Sequence, residues 1–330
     1  MPPHHTATET RVGTKGLAPM PKSQTNQTVD VSIIIPTYNR SQSLERTLRS
    51  IAKNEYTRTY DVTVIDDGSP DDTCEMLEHL QKEMPYRLNY HTQENSGPAV
   101  ARNLGISSTT GPYVVFLDDD HEVLDGWLDA LCDPLVDSTI GVANGKNDSV
   151  PDGGLSARYV CMRDEREAEK VATDKERYLT SGNAAIRRET LEATGGFDPS
   201  YKAVFKGVAP GGEDTELGMR IRESGLQIVY RPKALTNHFR EMKLSKFFKE
   251  RFNFGRNRVQ WLVAENRPMS LGSALRNALR AIISTLAIPL HTLTFRKMGY
   301  SWSDSFAFGT LEKFAQIVYE YGTLYGLVTK

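Results

Sequence analysis

The sequence predicts an α/β protein: a mostly parallel sheet flanked by helices, followed by a helical C-terminal extension. Two observations carry this expectation. Short apolar runs rich in β-branched residues recur at 31–35, 61–65 and 113–117, separated by stretches whose apolar residues fall at helical spacing. Strand–helix–strand alternation of this kind is the mark of βαβ units. The runs also end alike, in polar loops: Thr37-Tyr38-Asn39-Arg40, Asp66-Asp67-Gly68-Ser69 and Asp118-Asp119-Asp120. Three polar loops then share the carboxyl edge of one sheet, where open α/β folds place their ligands.

Taken in order, Val31 to Ile35 reads as a buried strand ended by Pro36. Ser41 or Ser43 can cap a helix with Leu44, Leu48 and Ile51 on one face. Asp61 to Ile65 is the second strand, and Asp71 or Asp72 can cap a helix carrying Met76, Leu77 and Leu80. Leu88 and Tyr90 mark a short third strand, and Gly97-Pro98 opens a helix through Ala101 and Leu104. Tyr113 to Leu117 is apolar on both faces, as in the middle of a parallel sheet. It runs into three adjacent carboxylates, which repel one another unless a cation sits among them. Asp125 to Leu135 reads as a helix, and Ile140 to Asn144 as a strand. Residues 146–178 are polar without a clean period and read as an acceptor-side excursion. Ser181 to Arg187 is a strand of small residues, among them Gly182 and Asn183, which lets a ligand approach the backbone. Gly211-Gly212-Glu213-Asp214 opens a helix with two acids in its first turn. Gln227 to Tyr230 is a further strand, with His238 in a loop beyond it.

No GxGxxG follows the first strand and no GxxxxGK[ST] occurs, so neither a dinucleotide fingerprint nor a P-loop is present. Carboxylates stand where a glycine-rich phosphate cradle would be. That favours phosphate binding through a metal. Cys74, Cys132 and Cys161 form no CxxC pair, which excludes a zinc ribbon and fits a reducing compartment. Residues 1–29 are polar, lack an apolar signal core and read as a disordered leader. Charge is uneven. Residues 1–238 hold 26 Lys+Arg against 36 Asp+Glu, whereas residues 239–330 hold 14 against 6.

Several separated motifs agree on one resemblance. The Ile-Pro-Thr-Tyr-Asn strand end, Asp66-Asp67-Gly68-Ser69, Gly97 to Asn103, Phe116 to Asp120, Gly195-Gly196-Phe197-Asp198 and Gly212-Glu213-Asp214 occur in the order found in family 2 glycosyltransferases. The chain resembles that family, with its GT-A fold, over about residues 30–240. The resemblance implies inverting transfer of a sugar from a nucleotide diphosphate, a UDP-sugar being the first choice, to a carbohydrate, lipid-linked or other hydroxyl acceptor. It implies a donor site of Pro36, Thr37, Tyr38, Arg40, Asp66, Asp67, Gly97, Arg102, Asp118 and Asp119, with either Asp66 or Asp67 accepting the base N3–H. Arg102 would face the phosphates, unless it pairs with Asp67. Asp118 and Asp120 fit the Asp-x-Asp pattern that ligates Mn²⁺ or Mg²⁺, with His238 as a further ligand that tilts the choice toward manganese. Asp214 matches the general base. Glu213, Gly182 and Asn183 lie on the acceptor side.

The resemblance leaves residues 241–330 as a basic extension. Phe248, Phe252 and Val259 face inward on an amphipathic helix there. Ala281 to Phe295 is uncharged but interrupted by Pro289, and is shorter than a bilayer span. Helices packed on the catalytic domain or lying on a membrane face fit this pattern better than nucleic-acid binding. The expected location is cytoplasmic, or peripheral on the cytoplasmic membrane face. Two rivals compete with the transferase reading: a sugar-nucleotide-binding protein without activity, and a nucleotidyltransferase. The second should carry a basic glycine-rich loop where Pro36-Thr37-Tyr38-Asn39 stands.

Overall fold

A computed structural model describes residues 28–170, 179–199, 212–264 and 268–329. The expected leader up to residue 27, the end of the excursion at 171–178 and Gly211 lie outside the described residues.

Eight strands form one sheet in the order β3-β2-β1-β4-β7-β6-β8-β5. β1 (Val31–Thr37), β2 (Tyr60–Asp66), β3 (Arg87–Thr92) and β4 (Tyr113–Leu117) run parallel, joined by the helices α1 (Ser41–Ala52), α2 (Thr73–Glu83) and α3 (Pro98–Ser107). This is the predicted βαβ half. Side chains alternate across it: Ile33, Ile35, Val115 and Leu117 pack with Leu44, Leu48, Leu77 and Trp127 on one face. Ile34, Val114 and Phe116 pack with Ala101, Phe197, Leu217 and Ile221 on the other. Strand β1 continues through Pro36 to Thr37, because its pairing with β4 has ended at Ile34 and only β2 still accompanies it.

The second half of the sheet is mixed. β7 (Asn183–Arg187) is antiparallel to both β4 and β6 (Ile140–Asp152), and β8 (Gln227–Glu241) is parallel to β6 and antiparallel to β5 (His121–Val123). Four expectations change here. β6 runs eight residues beyond the predicted strand, and the supposed excursion contains the helix α5 (Leu155–Lys170). β8 carries His238, so this histidine sits on a strand rather than in a loop, held opposite His121. The predicted helix over 125–135 splits into α4 (Trp127–Cys132) and a 3₁₀ turn (Asp133–Val136), since Pro134 cannot continue an α ladder. α6 (Arg188–Thr194) and α7 (Glu213–Glu223) complete this half.

The extension folds as α8 (Leu244–Ala264), α9 (Leu271–Ile283), α10 (Ile288–Lys297) and α11 (Trp302–Val328). α8 and α11 cross backbone to backbone. A Cβ on Gly255 would overlap the Tyr319 carbonyl oxygen, and one on Gly322 would overlap that of Phe252. Phe247 and Val259 are its deeply buried α8 residues, whereas Phe248 and Phe252 are half-buried. α5 supplies Tyr159 and Met162 to the same cluster as Phe247, Phe295 and Phe308.

Candidate active site

The carboxyl ends of β1, β2 and β4 do converge. Asn39 adopts the left-handed conformation (φ 56°), and its amide donates to Ser69 Oγ at 2.8 Å, joining the first two loops. Asp71 Oδ2 accepts from Ser41 N at 3.1 Å, so the start of α1 is capped from the β2 loop rather than by its own serines. Asp67 accepts from Gln93 Nε2, Ser96 N and Gly97 N at 2.7, 2.8 and 2.9 Å. It therefore anchors the loop that leads into α3. Asp66 is fully buried, with Ser69 N and Cys74 Sγ on its two oxygens. Tyr38 is 48% exposed, an aromatic face open to solvent beside these loops.

The three consecutive aspartates have three different environments. Asp119, the middle one, points inward. It accepts from Thr37 Oγ1 at 2.7 Å and Arg40 Nη1 at 3.0 Å, tying β4 to the end of β1. Burial pushes its carboxyl up to about 6, against the opposing effect of Arg40 and Thr37. Asp118, expected as a metal ligand, instead faces Arg102, whose Nη2 lies 3.1 Å from its Oδ1. It stands outside the cluster that could hold an ion. Gly182 lies against it: a Cβ there would come within 2.6 Å of Asp118 Oδ2.

Asp120 meets two imidazoles. His121 Nδ1 and His238 Nε2 each lie 3.2 Å from its Oδ1, and the two rings stack with centroids 4.2 Å apart. One ligand atom from each residue falls within 4.8 Å of the others. Asp120 Oδ1 and both nitrogens of the buried His121 have no hydrogen-bond partner among the described residues. Buried orphan donors and acceptors that face one another are costly unless something bridges them. Burial alone would raise the Asp120 carboxyl, but the adjacent His121 and His238 hold it well below the usual carboxylate range. Burial lowers the His238 imidazole. An ionised carboxylate and a neutral imidazole are the forms that bind metals, so this donor set fits a divalent cation. His121 was not among the sequence candidates. Its signal was its place directly after Asp120, but only the β5–β8 register brings it opposite His238.

Arg102 links the end of β4 to the start of α7. This buried guanidinium donates to Glu213 Oε1 at 2.7 Å as well as to Asp118, and sits 5.5 Å from the Phe197 ring centroid. It does not pair with Asp67. Asn103 beside it exchanges hydrogen bonds with the Phe197 backbone at 2.7 and 2.9 Å, joining two of the sequence motifs. Asp214 opens α7 next to Glu213. Its Oδ1 accepts from Thr215 N at 2.7 Å, while among the described residues Oδ2 has only Ser181 at 3.4–3.5 Å. Burial is the largest influence on this carboxyl and raises it, with Glu213 adding to the effect. A helix N-terminus stabilises an anion and so weakens it as a base; at Asp214 desolvation outweighs that.

Asn183, expected on the acceptor side, is fully buried. Its Oδ1 accepts from Trp127 Nε1 at 2.8 Å, and its Nδ2 faces Asn147 Oδ1 at 2.9 Å and the Lys146 and Ala234 carbonyls. It cross-links four elements of the fold and has no face toward the cleft. A cavity of about 710 Å³ opens beside Asp120, bounded among others by Arg40, Arg46, Phe239 and Lys243.

Residues 32–195 match the model of glycosyl transferase family 2. The chain is a member of that family. The family 2 chain is 28% identical over 235 residues to the pre-mycofactocin glycosyltransferase of Mycobacterium tuberculosis, an alignment covering 68% of this chain and 46% of that protein. It is 38% identical over 103 residues to the GalNAc(5)-diNAcBac-PP-undecaprenol beta-1,3-glucosyltransferase of Campylobacter jejuni, covering 31% of this chain and 33% of that one. The chain thus spans less than half the length of either relative. Its fold is similar to that of the mannosyltransferase PcManGT from Pyrobaculum calidifontis, solved with GDP-Man and Mn²⁺: the TM-score is 0.59 at 20% identity, covering 91% of this chain and 88% of the other. The family 2 chain therefore has a GT-A-like fold.

Proposed function

We propose that this family 2 protein transfers a sugar from a nucleotide-diphosphate donor to an acceptor hydroxyl, with inversion at the anomeric carbon and with a divalent metal. The observation that carries this reading is the presence of two unlike sites linked through one guanidinium: the Asp120–His121–His238 cluster just after β4, and the desolvated Asp214 at the start of α7. Arg102 joins them by bridging Asp118 and Glu213.

Asp120, His121 and His238 would hold the cation, which when bound would neutralise charge on the departing diphosphate. Two imidazoles and one carboxylate favour Mn²⁺ over Mg²⁺. Asp214 does the proton chemistry. Its Oδ2 is the less committed oxygen, and it takes the acceptor hydroxyl proton as that oxygen attacks the anomeric carbon. A carboxyl raised by burial is better matched to that task at neutral pH than an ordinary aspartate. Tyr38 offers a stacking face to the base, and Arg40, partly solvent-exposed beside Asp120, a positive charge toward the phosphates. The Campylobacter relative is named for a polyprenyl-diphosphate-linked acceptor, and PcManGT was solved with a nucleotide sugar and Mn²⁺. The second supports a nucleotide-sugar donor, and the first supports a lipid-linked hydroxyl acceptor.

A thermal-shift screen of nucleotide sugars, UDP-sugars first, tests this with and without Mn²⁺. Stabilisation by at least one donor only in the presence of metal is expected. No stabilisation by any donor would overturn the reading.

A further inference from the structure

The helices α9 and α10 are joined by a 3₁₀ turn at Ser284–Ala287, so Leu271–Lys297 is one helical segment of 27 residues with a mean hydropathy of 1.4 over its most apolar window. Pro289 does not break it, because it falls in the first turn of α10 where its missing N–H costs little. By length and composition the segment could cross a bilayer. Its packing points to a different arrangement.

One face of the segment, including Ala274, Ala281, Thr292 and Phe295, is buried. His291 Nδ1 sits 3.1 Å from Glu312 Oε2, tying α10 to α11. The opposite face is an uncovered apolar stripe: Leu275, Leu279, Ile282, Leu286, Leu290 and Leu293 are all about half exposed or more, and Leu286 is 82% exposed. The segment carries Arg276, Arg280, Arg296 and Lys297 and no acidic residue. Arg276 and Arg280 are exposed, one position beyond Leu275 and Leu279. Arg296 lies 5.7 Å from the ring of Trp302, which is itself 60% exposed.

We infer that this stripe docks on an anionic lipid surface, with the segment lying in the plane of the membrane rather than crossing it. Crossing would require α11 to enter the hydrocarbon with it. α11 brings Glu312, Lys313 and Glu320, and α8, fixed to α11 at Gly255 and Gly322, brings Lys246, Lys249 and Arg258. Such a charge load is prohibitive at the bilayer centre. An in-plane helix needs an apolar face below and cations at its edge that reach the head groups, with an aromatic residue at the interface. Leu275 to Leu293, the arginines and Trp302 supply these. A second copy of the chain suits the stripe less well, because a two-fold contact along this segment would bring together only cations, with no acid in the segment to meet them. The inference rests on this surface alone, so vesicle binding and sugar transfer can be tested apart.

The test is flotation of the full chain with vesicles of phosphatidylcholine alone and mixed equally with phosphatidylglycerol. The wild type is expected to float with the mixed vesicles, more weakly with the neutral ones, and to be released by alkaline carbonate. The exposed triple variant Leu275→Glu, Leu279→Glu, Leu286→Glu should lose binding to both vesicles with an unchanged circular dichroism spectrum. Arg276→Gln with Arg280→Gln should weaken binding to the mixed vesicles roughly tenfold or more and leave the neutral ones unaffected. Wild type that stays unbound, a triple variant that floats like wild type, or retention after carbonate would each overturn the inference. So would light scattering that shows a dimer in wild type and a monomer in the triple variant.

Discussion

Arg102→Gln removes the buried cation that bridges Asp118 and Glu213. Its two hydrogen bonds differ in worth. Glu213 is mostly buried, and the bond to it at 2.7 Å is charge-assisted, which contributes about 2 kcal/mol. The Asp118 side chain is 37% exposed, so solvent screening reduces that pair to under about 1 kcal/mol. Glutamine keeps a donor but neither the charge nor the second arm, so the loss is about 2–3 kcal/mol. For a domain of this size each kcal/mol shifts Tm by roughly 2–4 °C. Differential scanning fluorimetry should therefore show a fall of about 4–12 °C. The variant has a second consequence that a purely structural residue would not have. Arg102 lowers the Asp214 carboxyl, while Glu213 raises it. Without the guanidinium Asp214 should hold its proton to higher pH, so the acidic limb of the pH–rate profile moves upward. A variant that melts within about 2 °C of wild type and keeps the same acidic limb would refute this account of Arg102.

Two further outcomes follow from the same geometry. The raised Asp214 carboxyl favours its protonated form in the folded protein, so its contribution to stability is greatest at low pH and is lost as pH rises through the folded value. Catalysis needs the ionised form, so turnover of donor should rise with pH through a limb above 3.8, the ordinary aspartate value, and a pH–rate profile with its limb at or below that value would contradict the assignment. Gly182→Ala would drive a Cβ to within 2.6 Å of Asp118 Oδ2 and push that side chain off Arg102. Donor affinity measured by calorimetry with Mn²⁺ should weaken by roughly tenfold or more, about 1.4 kcal/mol, and an unchanged affinity would show that Asp118 takes no part in the donor site.

The parallel half of the sheet was legible because its strands are buried on both faces and so read as unbroken apolar runs. Ile33 to Ile35 and Val114 to Leu117 could hardly be anything else. The second half was harder to read, for reasons that lie in tertiary contacts. β8 beyond Tyr230 is polar and mixed, and it is a strand because β6 runs beside it as far as Glu241. α5 sends Tyr159 and Met162 into the cluster of the C-terminal helices, a partner far away in sequence. The site shows the same division. Asp120, His238 and Asp214 could be chosen by residue type and position. Three aspartates in a row, however, look alike in sequence, and their separate environments are set by Arg40, Arg102 and Thr37, which come from other elements. Asn183 looked like an acceptor contact because it follows Gly182, but strand alternation sends its amide into the core beneath Trp127. His121 was hidden because its partner lies across the sheet, far off in sequence.

The central claim is that one protein binds a nucleotide sugar through a metal and activates the attacking oxygen through Asp214. The most direct measurement is release of nucleoside diphosphate from the donor found by the thermal-shift screen, with water or an added hydroxyl acceptor, for wild type and Asp214→Asn. Wild type should release it with Mn²⁺ and stop on chelation with EDTA. Asp214→Asn should still bind the donor with nearly wild-type affinity while release falls by roughly 100-fold or more, as loss of a general base requires. Release that continues without metal, or an Asp214→Asn protein that keeps most of the wild-type rate, would contradict the account.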